Sequence, residues 1–180
     1  SIKRGIAFSL SLQIDNGAIA WNVDDKGEVD DDYLLTGCSS ITKSLECGIA
    51  ICQILGHKSL EKEWRIAHAK LIKAIENPAG IFDLKKDRSK FSMDSYYSIL
   101  GGVNPKKVAS SLISNIKTTF WIEGLGIKCV ADEPWVTVAE TSECSIAFKK
   151  MGEDEIALEL LHNAISIVDN NNIPYMGRQY

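Results

Sequence analysis

The stretch 40–76, SITKSLECGIAICQILGHKSLEKEWRIAHAKLIKAIE, decides the fold class. Its first half carries Ile41, Leu45, Ile49, Ala50, Ile51, Cys52, Ile54 and Leu55. These are spaced by three and four and are apolar nearly all round toward the end, the mark of an interior helix over 40–55. Gly56 closes it, because glycine enters the left-handed conformation of a helix exit without strain. The second half, 60–76, sets Trp64, Ala67, Leu71 and Ile75 on one stripe and charges elsewhere, the mark of an exterior helix. Asn77-Pro78 breaks it. An interior helix answered by an exterior one is a helical hairpin.

The same alternation extends both ways. Residues 2–13 read as a helix with Ile2, Ile6 and Leu10 on one stripe, stopped by Asp15-Asn16-Gly17. An irregular polar stretch runs to about Gly37. Helix 105–120 opens on Pro105 and shows Val108, Leu112, Ile116 and Phe120. Helix 135–151 is apolar at Val138, Ala139, Ile146, Ala147 and Met151 and ends before Gly152; helix 154–168 shows Ile156, Leu160, Leu161, Ala164 and Ile167. Ile127–Val130 is the best strand pattern, and it is short. Three turns look alike, at 15–21, 77–83 and 169–175, each joining turn residues to an apolar–aromatic pair. Glu46-Cys47-Gly48-Ile49-Ala50 is echoed by Glu143-Cys144-Ser145-Ile146-Ala147. The expected class is all-α: stacked hairpins of an α/α toroid, with residues 1–180 forming one partial ring of about three hairpins plus a leading helix. A closed ring of six hairpins needs roughly twice this chain at ordinary helix lengths, so a fragment of a longer protein, or an open half-ring, is expected.

Composition excludes several classes. With 45% hydrophobic and 24% charged residues over 180, the chain is not disordered. Twenty Lys+Arg against 24 Asp+Glu leave a net charge of −4, and no basic cluster exceeds Lys85-Lys86 or Lys106-Lys107, so no nucleic-acid partner is expected. No apolar run approaches the ~20 residues of a transmembrane helix. Lys3-Arg4 before Gly5–Leu10 faintly resembles a signal peptide, but no small-residue cleavage site follows. The five cysteines include no C-x-x-C pair, which argues against a disulfide framework or zinc knuckle and for a reducing cytoplasmic compartment. Cys47, Cys52 and Cys144 read as small core residues.

Several strings are family-like. Leu34-Leu35-Thr36-Gly37-Cys38-Ser39-Ser40-Ile41, Phe91-Ser92-Met93-Asp94-Ser95-Tyr96-Tyr97 and Leu100-Gly101-Gly102 resemble bacterial prenyltransferase-like proteins. So do the segments from Glu123 to Asp132 and from Pro134 to Thr141. The resemblance runs from about Gly17 to Tyr180. It implies the toroid shared by terpenoid cyclases, protein prenyltransferase β subunits and six-hairpin glycosidases, and fixes the fold better than the reaction. Gln13 to Trp21 looks like a stretched Q-x-x-x-G-x-W staple of terpenoid cyclases, with two extra residues before Trp21; the other turns lack both Gln and Trp.

Polar and aromatic residues concentrate in the loops that enter the inner helices: Asp30 to Ser40, Arg88 to Tyr97 and Glu123 to Glu140. Convergent polar groups among aromatics are what a ligand site requires. Asp94, Asp132 and Glu140 are the candidate catalytic carboxylates. Paired carboxylates do acid–base work on glycosidic bonds, and they also protonate alkenes or hold a magnesium diphosphate; the competing reading is loop capping. Tyr96, Tyr97, Trp135, Trp21 and Ser39 are the candidate substrate-binding residues, the aromatics as sugar-stacking or cation–π surfaces. Ser39-Ser40 also read as a helix cap, and Glu46 and Glu143 as structural carboxylates pairing with Arg88, Lys43 or Arg178. Glu28–Asp32 approaches the D-x-D-D acid motif but starts with Glu, and no D-D-x-x-D occurs; a solvated acidic loop is the alternative. Cys129 and Asp132 lack a histidine partner for zinc. No metal ligand set and no cofactor is assigned.

Three functions follow as alternatives. The first is an enzyme of the terpenoid-cyclase or prenyltransferase-like class acting on an isoprenoid or lipid-linked substrate. The second is a carbohydrate-active hydrolase or lyase using paired carboxylates. The third is a non-catalytic helical scaffold. The expected partner is a small molecule, lipid or carbohydrate, and the apolar flanks of a half-ring would invite homo-oligomerisation.

Overall fold

The computed structural model describes residues 1–108 and 110–180, and these are mostly helical. The helices are α1 (Ile2–Ser11), α2 (Leu35–Leu55), α3 (Lys58–Glu76), α4 (Tyr97–Leu100), α5 (Ser110–Asn115), α6 (Val138–Met151) and α7 (Asp154–Ser166). Short strands are β1 (Trp121–Ile122), β2 (Gly126–Ile127), β3 (Trp135–Thr137) and β4 (Gly177–Gln179). The chain divides into two compact units: residues 1–87 with 101–103, and residues 88–100 with 104–180. No described helix is long and apolar enough to cross a membrane.

In the first unit, α2 and α3 form the hairpin expected from 40–76, with Gly56 turning the corner at φ 71°. The α2 face buries Leu35, Cys38, Thr42, Leu45, Gly48, Ile49 and Cys52, a run of threes and fours. The striped face of α3 buries Trp64, Ala67, Leu71, Ala74 and Ile75. At Gly48, α2 packs tightly against side chains of both α1 and α3: a Cβ there would stand 2.6 Å from Ile6 Cδ1 and 3.0 Å from the Trp64 ring. Gly101 packs its backbone on α2 in the same way, its carbonyl accepting the Thr42 hydroxyl at 2.7 Å.

Three expectations for this unit are corrected. α2 begins at Leu35 rather than Ser40, because Asp83 Oδ2 accepts the Leu35 N–H at 3.4 Å and so caps an earlier turn. Ser39 and Ser40 therefore lie inside the helix and do not cap it. Cys47 is exposed, and so are Ile54 and Leu55 of the last turn, so α2 is interior along one face only. In the acidic run, Lys85 pairs with Asp30 and Asp31, while Asp32 is 5% exposed and is not a solvated carboxylate.

The turn repeat is real but differently placed. At Ile14, Asp24 and Asp169 the chain makes one hydrogen-bond pattern: the residue's N–H donates to the carbonyl four ahead, and its carbonyl accepts from three ahead. The N–H six ahead then donates to the carbonyl two behind. Gly17 (φ 97°), Gly27 (φ 87°) and Asn172 (φ 60°) hold the same left-handed position. Asp24 Oδ1 accepts the N–H groups of Lys26 and Glu28, as Asp169 Oδ1 accepts those of Asn171 and Ile173. The 77–83 turn is different, a helical turn in which Pro78 O accepts from Ile81 and Phe82. Gln13 of the stretched staple ties its turn to α3, its Nε2 donating to Gly17 O and to Ala67 O, both at 3.0 Å; Trp21 stays 59% exposed.

In the second unit, α6 and α7 form another hairpin turned at Gly152 (φ 85°). Tyr96, Ile99, Ile116, Phe120, Ile127, Cys144, Phe148 and Leu160 make up most of its core. The long helix expected over 105–120 is instead a short turn at Pro105–Lys107, then α5, then a wide π-helical turn at Ile116–Phe120. Within 135–151, residues 135–137 are strand rather than helix. Four extended segments lie side by side, three that precede α6 and β4 that follows α7: Phe91 bridges Val130, Lys128 bridges Val136, and β3 pairs antiparallel with β4.

Candidate functional site

That small ladder positions the site in the second unit. Ser92 N–H donates to Cys129 O at 3.1 Å and Ala131 N–H donates to Lys90 O at 2.9 Å, which ties the loop before α4 to the loop before α6. The first loop delivers Asp94 in a 3₁₀ turn (Ser92–Ser95), then Tyr96 and Tyr97. The second delivers Cys129, Asp132 and Trp135 and runs into α6, which carries Glu140 and Glu143. Two loops far apart in sequence are thus joined beside one helix start.

The start of α6 is firmly held. Thr141 donates its hydroxyl to Thr137 O at 2.6 Å and accepts Ile127 N–H at 2.9 Å. Gly126, at φ 131°, leaves no room for a side chain beside Thr141. Thr137-Val138-Ala139-Glu140 has the T-x-x-E spacing of a capping box. Its Thr137 hydroxyl makes no cap to the helix N–H groups; it donates instead to the Glu140 carboxylate. Glu140 is 8% exposed. A buried carboxylate requires such donors.

One helical turn on, Glu143 accepts two phenols: Tyr96 OH donates to Oε2 at 3.1 Å and Tyr97 OH to Oε1 at 3.0 Å. The two rings lie 5.7 Å apart between centroids. Residues three apart share a helix face, so Glu140 and Glu143 act on the same surroundings. Burial, then Glu143 and Glu140, push the Tyr97 phenol up to about 12, and the Tyr96 phenol is raised from the same causes. Burial, then the carboxylates of Glu140 and Glu143, push the Cys129 thiol up to about 11. Burial and Glu143 push Cys144 to about 12. Burial is the larger cause in all four, and the neighbouring carboxylates add to it.

The remaining candidates are placed as follows. Asp94 is half-buried in the 3₁₀ turn, two residues before Tyr96. Asp132 is exposed on the turn in which Glu133 N–H donates to Val130 O. Trp135 is 45% exposed on β3. Ser39 and Trp21 belong to the first unit: Ser39 is fully buried with its hydroxyl donating to Leu35 O at 2.7 Å, and Trp21 donates its backbone N–H to Asp32 O at 3.0 Å. Among the described residues no group of three His, Cys, Asp or Glu side chains is arranged to hold a metal ion. A groove of about 540 Å³ between α6 and α7 is lined by Ile146, Leu158 and Leu161.

Glu143 is the residue sequence reasoning missed. It was read as a structural carboxylate seeking a cation, whereas its partners are phenols. The signal was available, since Glu143 follows Glu140 by one turn, on a helix, in a chain with an adjacent tyrosine pair. Lys43 did find the other such carboxylate, Glu46, at 2.8 Å.

No family model matches the chain. The curated MMP endo-(1,4)-3-O-methyl-alpha-D-mannosidase of Mycolicibacterium hassiacum is 37% identical over 152 residues. The match covers 84% of this chain and 41% of that protein, so the chain spans about two fifths of its relative's length.

Proposed function

We propose that this chain is part of a carbohydrate-active enzyme that cleaves (1,4)-linked mannosides bearing 3-O-methyl groups. The α2–α3 and α6–α7 hairpins are then two hairpins of an α/α toroid. The reading rests on one observation, two carboxylates one turn apart on α6, Glu140 and Glu143, with the Tyr96 and Tyr97 phenols donating to Glu143. Glycosidic cleavage passes through an oxocarbenium-like transition state. A fixed anionic surround stabilises positive charge as it develops, at no reorganisation cost.

Glu140, which accepts the Thr137 hydroxyl, acts as base or nucleophile. Asp94 supplies the acid from the facing loop and protonates the leaving oxygen. Glu143 keeps the tyrosines oriented, Tyr97 and Trp135 present ring faces to the sugar, and Asp132 meets polar groups at the rim. An isoprenoid substrate would also place a cation in this field. The polar lining of carboxylates and phenols, together with the mannosidase relative, weighs for the sugar.

The test offers both substrate classes side by side. New reducing ends from a (1,4)-linked 3-O-methylmannose oligosaccharide, without release of diphosphate from prenyl diphosphates, support the reading. Diphosphate release with the oligosaccharide left intact overturns it.

A further inference from the structure

We propose that Gln179 on β4 contacts the substrate and sets specificity: its amide holds the vicinal oxygens of the sugar whose ring lies on Trp135. The inference rests on the reading of the site as one that cleaves methylated mannosides. It adds a second strand of sugar contacts beside Glu140.

In the β3–β4 ribbon Trp135 stands opposite Gln179, Val136 opposite Arg178 and Thr137 opposite Gly177. Opposite residues share a face and neighbours along a strand alternate. Trp135, Thr137, Gly177 and Gln179 therefore lie on one side. Thr137 donates its hydroxyl to Glu140, so the reacting carboxylate borders the same side. Trp135 is 45% exposed while Val136 next to it is 0% exposed. A one-residue slip would bury Trp135 only by exposing Val136 and taking Thr137 from Glu140, so the fold keeps this indole in solvent. Gly177 puts no side chain beside Thr137, since a Cβ there would stand 2.7 Å from Val136 O. Gln179 is exposed, and among the described residues its amide makes no hydrogen bond. Trp135 and Thr137 are about 7 Å apart, the two-residue repeat of a strand, so a ring on Trp135 lies one step from Glu140.

An inner unit of a (1,4)-linked 3-O-methylmannose chain spends O4 in a linkage and carries a methyl on O3. Its one vicinal polar pair is the O2 hydroxyl beside the O3 ether. An amide meets both members: its carbonyl accepts from the O2 hydroxyl and its N–H donates to the ether oxygen. A carboxylate in the same place only accepts. Trp135 supplies apolar surface for the C–H face of the ring and for the methyl group.

The test reads binding apart from cleavage. Titration calorimetry of Glu140→Gln protein with the (1,4)-linked 3-O-methylmannose oligosaccharide gives Kd without turnover. Adding Gln179→Ala, or Gln179→Glu, which keeps the shape and loses the donor, should weaken Kd about tenfold. Arg178→Ala, on the opposite face of the same strand, should leave Kd within about twofold. With Glu140 in place, both Gln179 changes should raise KM by a like factor. An unchanged Kd or KM in either Gln179 variant, or an equal loss in Arg178→Ala, overturns the inference. A wild-type protein that binds the oligosaccharide through Gln179 yet releases no reducing ends overturns the cleavage reading alone. A protein that neither binds nor cleaves it overturns both.

Discussion

Replacing Tyr96 by Phe removes one oxygen from a fully buried ring and tests whether Glu143 is held by two phenols of unequal value. The Tyr96 hydroxyl lies 3.1 Å from Glu143 Oε2. A hydrogen bond to a charged group contributes about 1.5–3 kcal/mol, and a buried acceptor left without its donor loses most of that. The ring itself remains, so no cavity larger than the hydroxyl opens. Glu143 is half-buried and keeps Tyr97, which places the cost at the low end, about 1.5 kcal/mol. Tyr97 is half-buried too, so water replaces its hydroxyl and Tyr97→Phe should cost only about 0.5–1 kcal/mol. With urea m-values of ~1–3 kcal/mol/M, the Tyr96 change should move the unfolding midpoint down by about 0.5–1.5 M. Equal midpoints for Tyr96→Phe and wild type, or a larger loss for Tyr97→Phe, would refute the ranking by burial.

The same phenols set the alkaline limit of stability. Their folded pKa values lie above the unfolded value of about 10, so their contribution is whole below pH 10 and is lost as pH rises toward about 12 for Tyr97. Exchanging Glu143 for Gln should bring the Tyr97 titration, followed by absorbance near 295 nm, to lower pH; an unmoved curve argues against the pairing. Gly5 sits mid-helix on α1 with nothing within 4 Å of a built Cβ, so Gly5→Ala should stabilise by about 0.5–1 kcal/mol in thermal unfolding. Gly101→Ala should do the opposite by about 1–3 kcal/mol, because its Cβ would meet Ser39 O at 2.4 Å. Of the five free thiols, Cys47 alone is exposed and should label quickly in the native protein. Cys38, Cys52 and Cys144 should wait for unfolding, and fast reaction of Cys144 would contradict its burial.

The hairpins were legible because their apolar spacing matches the 3.6 period over long helices. Trp64, Ala67, Leu71 and Ile75 are all buried as the stripe required, and Gly56 and Gly152 both end helices as expected. The strands were not legible, since segments of two or three residues such as Gly126–Ile127 and Trp135–Thr137 carry no period and are held by partners remote in the chain. Apolar spacing over 105–120 suggested one helix, but burial of Ile116 and Phe120 is reached through a wider turn. Cys47 was placed in the core because helical pattern alone does not say which face finds a neighbour. At the site, Glu140 and the tyrosine pair could be named from their loops. What Glu143 does depends on which groups the fold brings within hydrogen-bond reach, and residue order does not encode that directly.

The central claim is that the Glu140 carboxylate acts on a glycosidic bond. Its most direct measurement is the rate of reducing-end release from the (1,4)-linked 3-O-methylmannose oligosaccharide by Glu140→Gln, with circular dichroism showing the fold intact. The account predicts a kcat lowered by about 10²–10⁴-fold. A Glu140→Gln protein cleaving the sugar at the wild-type rate would contradict it.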